Sequence, residues 1–241
     1  VVGGYARALI GHPFDTVKTK MQVNPLKYGN STNCLRMTIK EEGLIGLYKG
    51  LTAPLIANGF IVGTHFSVYK MLKNTYKSDF LKGAIAGSVA SFIASPVEFL
   101  RIKMQLSSRL DNNKNYKNIL ECAKAVIEHK GVLGLFTGQR VTLMRDFLGY
   151  GCFFWAYANT PDISSILFVN KVTKGIIMGF GLWGSMYPID VIKSRIQGAL
   201  LENQKKTEIC WTKEVYSQLG IKGFYKGFGA TMVRAIPVNI G

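Results

Sequence analysis

Apolar positions along this chain gather in long blocks that polar residues interrupt singly. Three stretches, 50–69, 138–158 and 174–198, are long, apolar and rich in glycine, with only isolated charges. A helix needs about 20 apolar residues to cross a bilayer, and each of these is long enough. None holds 18 apolar residues in a row without a charge, so plain hydropathy would pass over them. Glycine lets helices approach closely and is commoner in membrane helices than in soluble ones. The pattern predicts a polytopic membrane protein whose interior is polar. The opening residues, VVGGYARALIG, read as helix and carry no leader pattern.

The apolar blocks are punctuated by a motif that occurs three times. PFDTVKTKMQ (13–22) is matched by PVEFLRIKMQ (96–105) and PIDVIKSRIQ (188–197). Each reads proline, any residue, an acid, two further residues, a base, any, a base, any, glutamine. A second motif follows each copy: EGLIGLYKG (42–50), KGVLGLFTG (130–138) and LGIKGFYKG (219–227). Self-similarity at a fixed offset is the signature of a repeat architecture.

These two motifs resemble the signature of the mitochondrial carrier family, and the resemblance covers essentially the whole chain. It implies an all-α membrane protein: six transmembrane helices in three pseudo-threefold repeats, each with a short matrix helix. The repeats are expected at 1–77, 78–166 and 167–241. Gly83 and Gly87 lie 13 and 9 residues before Pro96, and Gly175 and Gly179 lie equally far before Pro188. Counting back from Pro13 gives Gly4 and a position before residue 1, so the first helix is expected to lack its start. The last is expected to lack its end, because GFGATMVRAIPVNIG stops about half a span after Gly227.

Proline inside a helix removes a hydrogen bond and kinks it, so Pro13, Pro96 and Pro188 are expected to draw three helix ends together. Beside each proline an acid and a base stand three apart, on one helix face. An ionisable group at membrane depth costs about 2.5–3.5 kcal/mol or more unless it finds an interior partner. The six groups can therefore satisfy one another as a ring. The resemblance implies the order Asp15 with Arg101, Glu98 with Lys193, and Asp190 with Lys18, acting as a gate on the matrix side. Gln22, Gln105 and Gln197 are expected to brace the pairs. The alternative is pairing within each helix, worth a few tenths of a kcal/mol.

In the second motif, Lys49 and Gly50, Gly138, and Lys226 and Gly227 open a membrane helix, whose free N–H groups and dipole suit phosphate. In the family these positions hold cardiolipin; simple helix capping is the other reading. Phe136, Thr137 and Gly138 lack the base, which predicts a weaker second site.

Features common to all copies serve the mechanics, whereas a solute without threefold symmetry is held where the copies differ. Seven and eight residues after Gly50, Gly138 and Gly227 stand Ala57 and Asn58, Arg145 and Asp146, and Arg234 and Ala235. They coincide with the family's substrate contact points. Charges two turns inside a membrane helix default to function. Arginine suits a carboxylate held by two bonds, and Asp146 suits a cationic nitrogen. The candidate substrate residues are thus Asn58, Arg145, Asp146 and Arg234. Arg145 and Asp146 pairing only with each other or with neighbouring helices is the structural alternative. Arg7, opposite Ala90 and Leu182 in the other copies, either contacts solute or reaches lipid or a loop. His12 and His65 read as ordinary helix residues, and the aromatic run 153–155 as packing or lipid-facing surface.

Composition narrows the partners. The net charge of +16 suits nucleic acid or anionic lipid, but the bases are spread along the chain without any nucleic-acid-binding signature. Membrane lipid, cardiolipin above all, is the expected partner, and no cofactor or metal is expected. Cys34, Cys122, Cys152 and Cys210 show no metal or redox spacing. There is no nucleophile, metal cluster or phosphate loop to suggest an enzyme.

The expected function is exchange of a small zwitterionic or carboxylate metabolite across the mitochondrial inner membrane, of amino-acid or carnitine type. The alternative is a transport-inactive structural subunit among other inner-membrane proteins. It draws on Tyr69-Lys70-Met71-Leu72-Lys73 and Tyr157-Ala158-Asn159-Thr160-Pro161, which depart from the family's aromatic-acid-x-x-base closure of the cytoplasmic side.

Overall fold

A computed structural model of the chain describes residues 2–107, 116–159, 183–184, 186–199 and 207–231, with side chains from residue 9 onward. These residues form helices and no strand. In chain order they are α1 (Val2–Val23), the single turn α2 (Pro25–Tyr28), α3 (Ser31–Glu42), α4 (Thr52–Met71), α5 (Asp79–Leu106), α6 (Ile119–Lys130) and α7 (Gln139–Asn159). They continue with α8 (186–198), α9 (Glu208–Leu219) and the start of a further helix at 228.

The same local structure is written three times. α3 and α6 each run for 12 residues behind an asparagine cap: Asn30 accepts from the Asn33 N–H, and Asn118 from that of Glu121. α9 has the same length behind Thr207. Each ends at a glycine and passes into a five-residue 3₁₀ turn, Leu44–Tyr48, Val132–Phe136 and Ile221–Tyr225. Gly50, Gly138 and Gly227 then reverse the chain at φ of 81°, 81° and 83°, a backbone region that side chains with a Cβ avoid.

α1 and α5 continue through Pro13 and Pro96 as helix, and α8 does so through Pro188. α5 is the longest element, 28 residues or about 42 Å. Its small face, Gly83, Ala84, Gly87 and Ala90, is buried against α7 and α4. The approach to α7 is so close that a Cβ on Gly87 would stand 2.5 Å from the Asp146 carbonyl oxygen.

The distribution of side chains is that of a membrane protein. Thr16, Lys18, Lys20, Gln22, Ser91, Ser95, Lys103 and Gln105 are buried, while Ile56, Phe60 and Phe66 of α4 and Phe92 of α5 are exposed. Lipid accepts the apolar exterior, and the polar interior must satisfy itself. The helical stretches Leu44–Asn74 and Asp79–Leu106 are long and apolar enough to cross a membrane. Apolar clusters close the seams between repeats. Val17, Met21, Tyr28, Cys34 and Leu47 meet Ala230 of the third repeat, and Val141 of α7 meets Ile196 and Trp211.

Candidate functional site

The three proline-bearing helices α1, α5 and α8 bring their acid-base motifs together at one end of the bundle. Each is the first membrane helix of its repeat and so an odd one of the six, and the even ones follow each glycine turn. Arg101 of α5 bonds Asp15 of α1 at 2.5 Å, Lys18 of α1 bonds Asp190 of α8 at 2.7 Å, and Lys193 of α8 bonds Glu98 of α5. Each pair joins two different helices. Lys193 is only 2% exposed, so its charge depends on the partner it meets in the interior.

The glutamines do not play equal parts. Gln22 donates to Asp190 Oδ2 at 3.2 Å and so reaches the ring. Gln105 donates to the hydroxyl of Thr16, and Gln197 to the carbonyl of Thr137. In those two copies another acceptor takes the amide, which corrects the expectation of three equivalent braces. Asp190 therefore has the richest company, with Lys18, Gln22 and Arg145 around it.

Arg145 of α7 is turned toward the ring. Its Nε lies 2.8 Å and its Nη2 2.7 Å from Asp146 Oδ1, its Nη2 3.1 Å from Glu98 Oε1, and its Nη1 3.4 Å from Asp190 Oδ1. One guanidinium thus serves three carboxylates from three helices while 8% exposed. The ring, Arg145 and Trp183 line a single polar cleft. Asp15, Glu98 and Asp190 line it with Lys18, Arg101, Arg145 and Lys193, three acids to four bases; the fourth acid, Asp146, is buried beside it and pairs with Arg145.

Trp183 is a residue the even-helix comparison passes over. Its ring centroid lies 4.4 Å from Lys18 Nζ, and the Tyr187 ring lies 5.4 Å from the same ammonium. Extending the symmetry argument to odd helices finds it, because five residues before the prolines stand Ala8, Ser91 and Trp183. Asn58 is exposed on α4 and is not among the cleft residues; its neighbour Ala57 is the buried one. Arg7 lies in α1 with its side chain outside the described residues. Arg234, Ala235, Gly175, Gly179 and Leu182 lie outside them altogether.

The lysines of the second motif face protein. Lys49 Nζ donates to Ser107 O at 2.7 Å and pairs with Glu42 at 2.7 Å. Lys226 Nζ donates to Gly29 O at 2.9 Å. Unsatisfied carbonyls where helices end draw both ammonium groups. Gly50, Gly138 and Gly227 sit against the next repeat in cyclic order, with a Cβ at Gly50 coming 3.0 Å from Arg101 O.

At the end opposite the ring, Lys70 and Lys73 are exposed. The acid that Tyr69 meets comes from the next helix. Tyr69 Oη donates to Asp79 Oδ1 at 2.9 Å, and Asp79 pairs with Lys82 at 2.5 Å. Phe154 stacks on Tyr69 at 4.1 Å and is buried, while Trp155 is exposed. His12 is buried, its Nε2–H donating to Lys49 O at 3.0 Å. His65 is buried against the edge of Tyr150.

A family model described as mitochondrial carrier protein matches residues 1–80, 75–163 and 164–241. The chain is 33% identical to the glutamate/glycine mitochondrial carrier ymc1 of Schizosaccharomyces pombe, over 99% of this chain and 88% of that one. It is 33% identical to the mitochondrial basic amino acids transporter of Homo sapiens, over 98% of this chain and 83% of that one. With the mitochondrial carnitine/acylcarnitine carrier-like protein of Arabidopsis thaliana it shares 30% identity, over 99% of this chain and 91% of that one.

Proposed function

The chain belongs to the mitochondrial carrier family, and from that premise we propose that it exchanges a zwitterionic solute of amino-acid or carnitine type, with Arg145 as the seat of its carboxylate. It is a multi-pass protein of the mitochondrial inner membrane and a metabolite transporter rather than an enzyme. The relatives that match nearly the whole of this chain are carriers and transporters, and none of them favours the structural-subunit reading.

The observation that carries the proposal is Arg145 held by Asp146, Glu98 and Asp190 in the cleft. A solute carboxylate competes with those acids for a guanidinium whose planar fork suits it. Taking Arg145 from Glu98 and Asp190 removes one support from two of the three ring pairs. The solute's cationic nitrogen then finds the carboxylate of Asp146, and Trp183 supplies an aromatic wall beside it. With Asp146 counted beside Arg145, the acids and bases of the cleft balance among the described residues, so a zwitterion enters without leaving an uncompensated charge. Opening follows because the ligand binds the state with a loosened ring better than the closed one. Arg234 supplies a second anion contact in this reading.

Cardiolipin is the proposed bound lipid, held by backbone N–H groups at the helix starts after Gly50, Gly138 and Gly227. Lys49 and Lys226, committed to carbonyls, contribute little to it.

The test is exchange by liposomes holding the full-length protein, loaded with amino acids or carnitine and offered labelled arginine, lysine, neutral amino acids and carnitine. Exchange that falls at least tenfold in Arg145→Lys and in Asp146→Asn supports the reading. Full exchange in both variants, or none of these solutes moved by the parent, refutes it.

A further inference from the structure

Where a helix ends, its last carbonyls look for donors. At the seam between the first and second repeats the donor to Ser107 O, just past α5, is Lys49. Lys49 is itself held by Glu42, whose other oxygen bonds Lys20 at 2.5 Å. The first repeat therefore builds a triad, Lys20, Glu42 and Lys49, whose outer ammonium caps the odd helix of the second.

The second repeat departs from this arrangement at two places together. Lys130 stands where Glu42 does, and Thr137 where Lys49 does; Lys103, in the place of Lys20, alone keeps its type. The first change takes away the acid that would hold Lys103, and puts a like charge within electrostatic reach of it. The second takes away the ammonium that would cap the third repeat. Lys103 answers both. Its Nζ donates to the carbonyl of Ala199, which lies 11 residues after Pro188 as Ser107 lies 11 after Pro96. Lys103 is buried, with Nζ 5.6 Å from the Phe99 ring centroid. Thr137 turns its hydroxyl back to Gly134 O at 2.6 Å, and its carbonyl accepts from Gln197.

We propose that Lys103 is the strut that closes the ring-side seam between the second and third repeats, doing from within the odd helix what Lys49 does from the downstream motif. Lys130 and Thr137 are then one paired departure, tolerated because Lys103 covers for both. The same seam holds Glu98 against Lys193, so Lys103 is a positioning residue that acts through that ion pair. Its release when the ring opens rests on the transport reading; its role as a strut does not.

The experiment compares thermal unfolding and exchange of the full chain with Lys103→Met, Lys103→Arg, the double variant Lys130→Glu with Thr137→Lys, and the triple variant that adds Lys103→Met to the double. Lys103→Met is expected to lower Tm by about 4 °C or more and to slow exchange at least threefold. Lys103→Arg is expected to keep both, because a guanidinium reaches the same carbonyl. The triple variant is expected to regain most of the Tm, with the ammonium delivered from position 137 as in the first repeat. If Lys103→Met cannot be purified, recovery of the triple variant supports the strut equally well. A Tm for Lys103→Met within a degree of the parent overturns it. So does a triple variant no better than Lys103→Met when the double variant alone melts like the parent. The expected Tm pattern in a protein that moves none of the offered solutes upholds the strut and counts against the transport reading alone.

Discussion

Gln22 of the first repeat donates its side-chain amide to Asp190 of the third at 3.2 Å, across 168 residues of sequence. Its counterparts Gln105 and Gln197 turn to Thr16 and to the Thr137 carbonyl. A hydrogen bond to a charged group contributes about 1.5–3 kcal/mol, and one between neutral groups about half that. Gln22→Ala is therefore expected to lower Tm more than Gln105→Ala or Gln197→Ala, by roughly a factor of two in stability. Three equal losses, measured by thermal unfolding in one detergent and lipid mixture, would return the glutamines to equivalence.

The ring pairs also differ, because Arg145 leans on only some of them. It bonds Glu98 and Asp190 and does not reach Asp15. Removing one member of a buried pair costs about 3–5 kcal/mol, so the single variants Asp15→Arg and Glu98→Lys should both be severe. The exchanged pairs separate them. Asp15→Arg with Arg101→Asp is expected to regain most of the lost stability and exchange. Glu98→Lys with Lys193→Glu is expected to regain less than half, because an ammonium at position 98 faces the Arg145 guanidinium. Equal recovery of the two exchanges would remove Arg145 from the ring's energetics.

Much of this was legible in the chain because the fold is written three times. Three prolines, three acid-base spacings and three aromatic-x-Gly turns locate the odd helices, the short helices and the starts of the even ones. What the repeats do not carry is how far α7 sits toward the ring. Arg145 reads as a residue two turns inside its helix, and only the packing of α5 on α7 through Gly83 and Gly87 brings it to Glu98 and Asp190. That Lys49 and Lys226 reach a neighbouring repeat's carbonyl was hidden, because a motif shows its own residues alone. Asp79 was hidden for a similar reason. It belongs to the next helix and not to the stretch where an acid was sought.

The short helices α3 and α6 make a prediction about thiol chemistry. Cys34 and Cys122 occupy matching places nine residues before the C-capping glycines Gly43 and Gly131, and both are fully buried. Burial pushes each thiol up to about 11. The thiolate is the reactive form, and a raised value keeps it scarce until the pH approaches that figure. At pH 7.5 a maleimide should label Cys210, which is exposed, and leave Cys34 and Cys122 untouched until the protein is unfolded. Mass spectrometry of labelled peptides decides it, and fast native labelling at Cys34 or Cys122 would mean that the short helices open readily.

Trp183 provides a spectroscopic test of the cleft. Its ring is the one over Lys18, at 4.4 Å, whereas Trp155 is exposed on α7 and Trp211 is packed against Ile196. A cation over an indole contributes about 0.5–2 kcal/mol, more as it is desolvated. Trp183→Leu should therefore free Lys18, weaken its pair with Asp190 and lower both Tm and exchange; Trp183→Phe should lie between Trp183→Leu and the parent. A solute that takes Arg145 from Asp190 must disturb the Lys18 ammonium and with it the emission of Trp183. With Trp155 and Trp211 replaced by phenylalanine, the transported solute is expected to change the remaining fluorescence along the same saturation curve as exchange. A signal that persists after Trp183→Phe, or one that saturates at concentrations unrelated to exchange, would place the solute away from this ring.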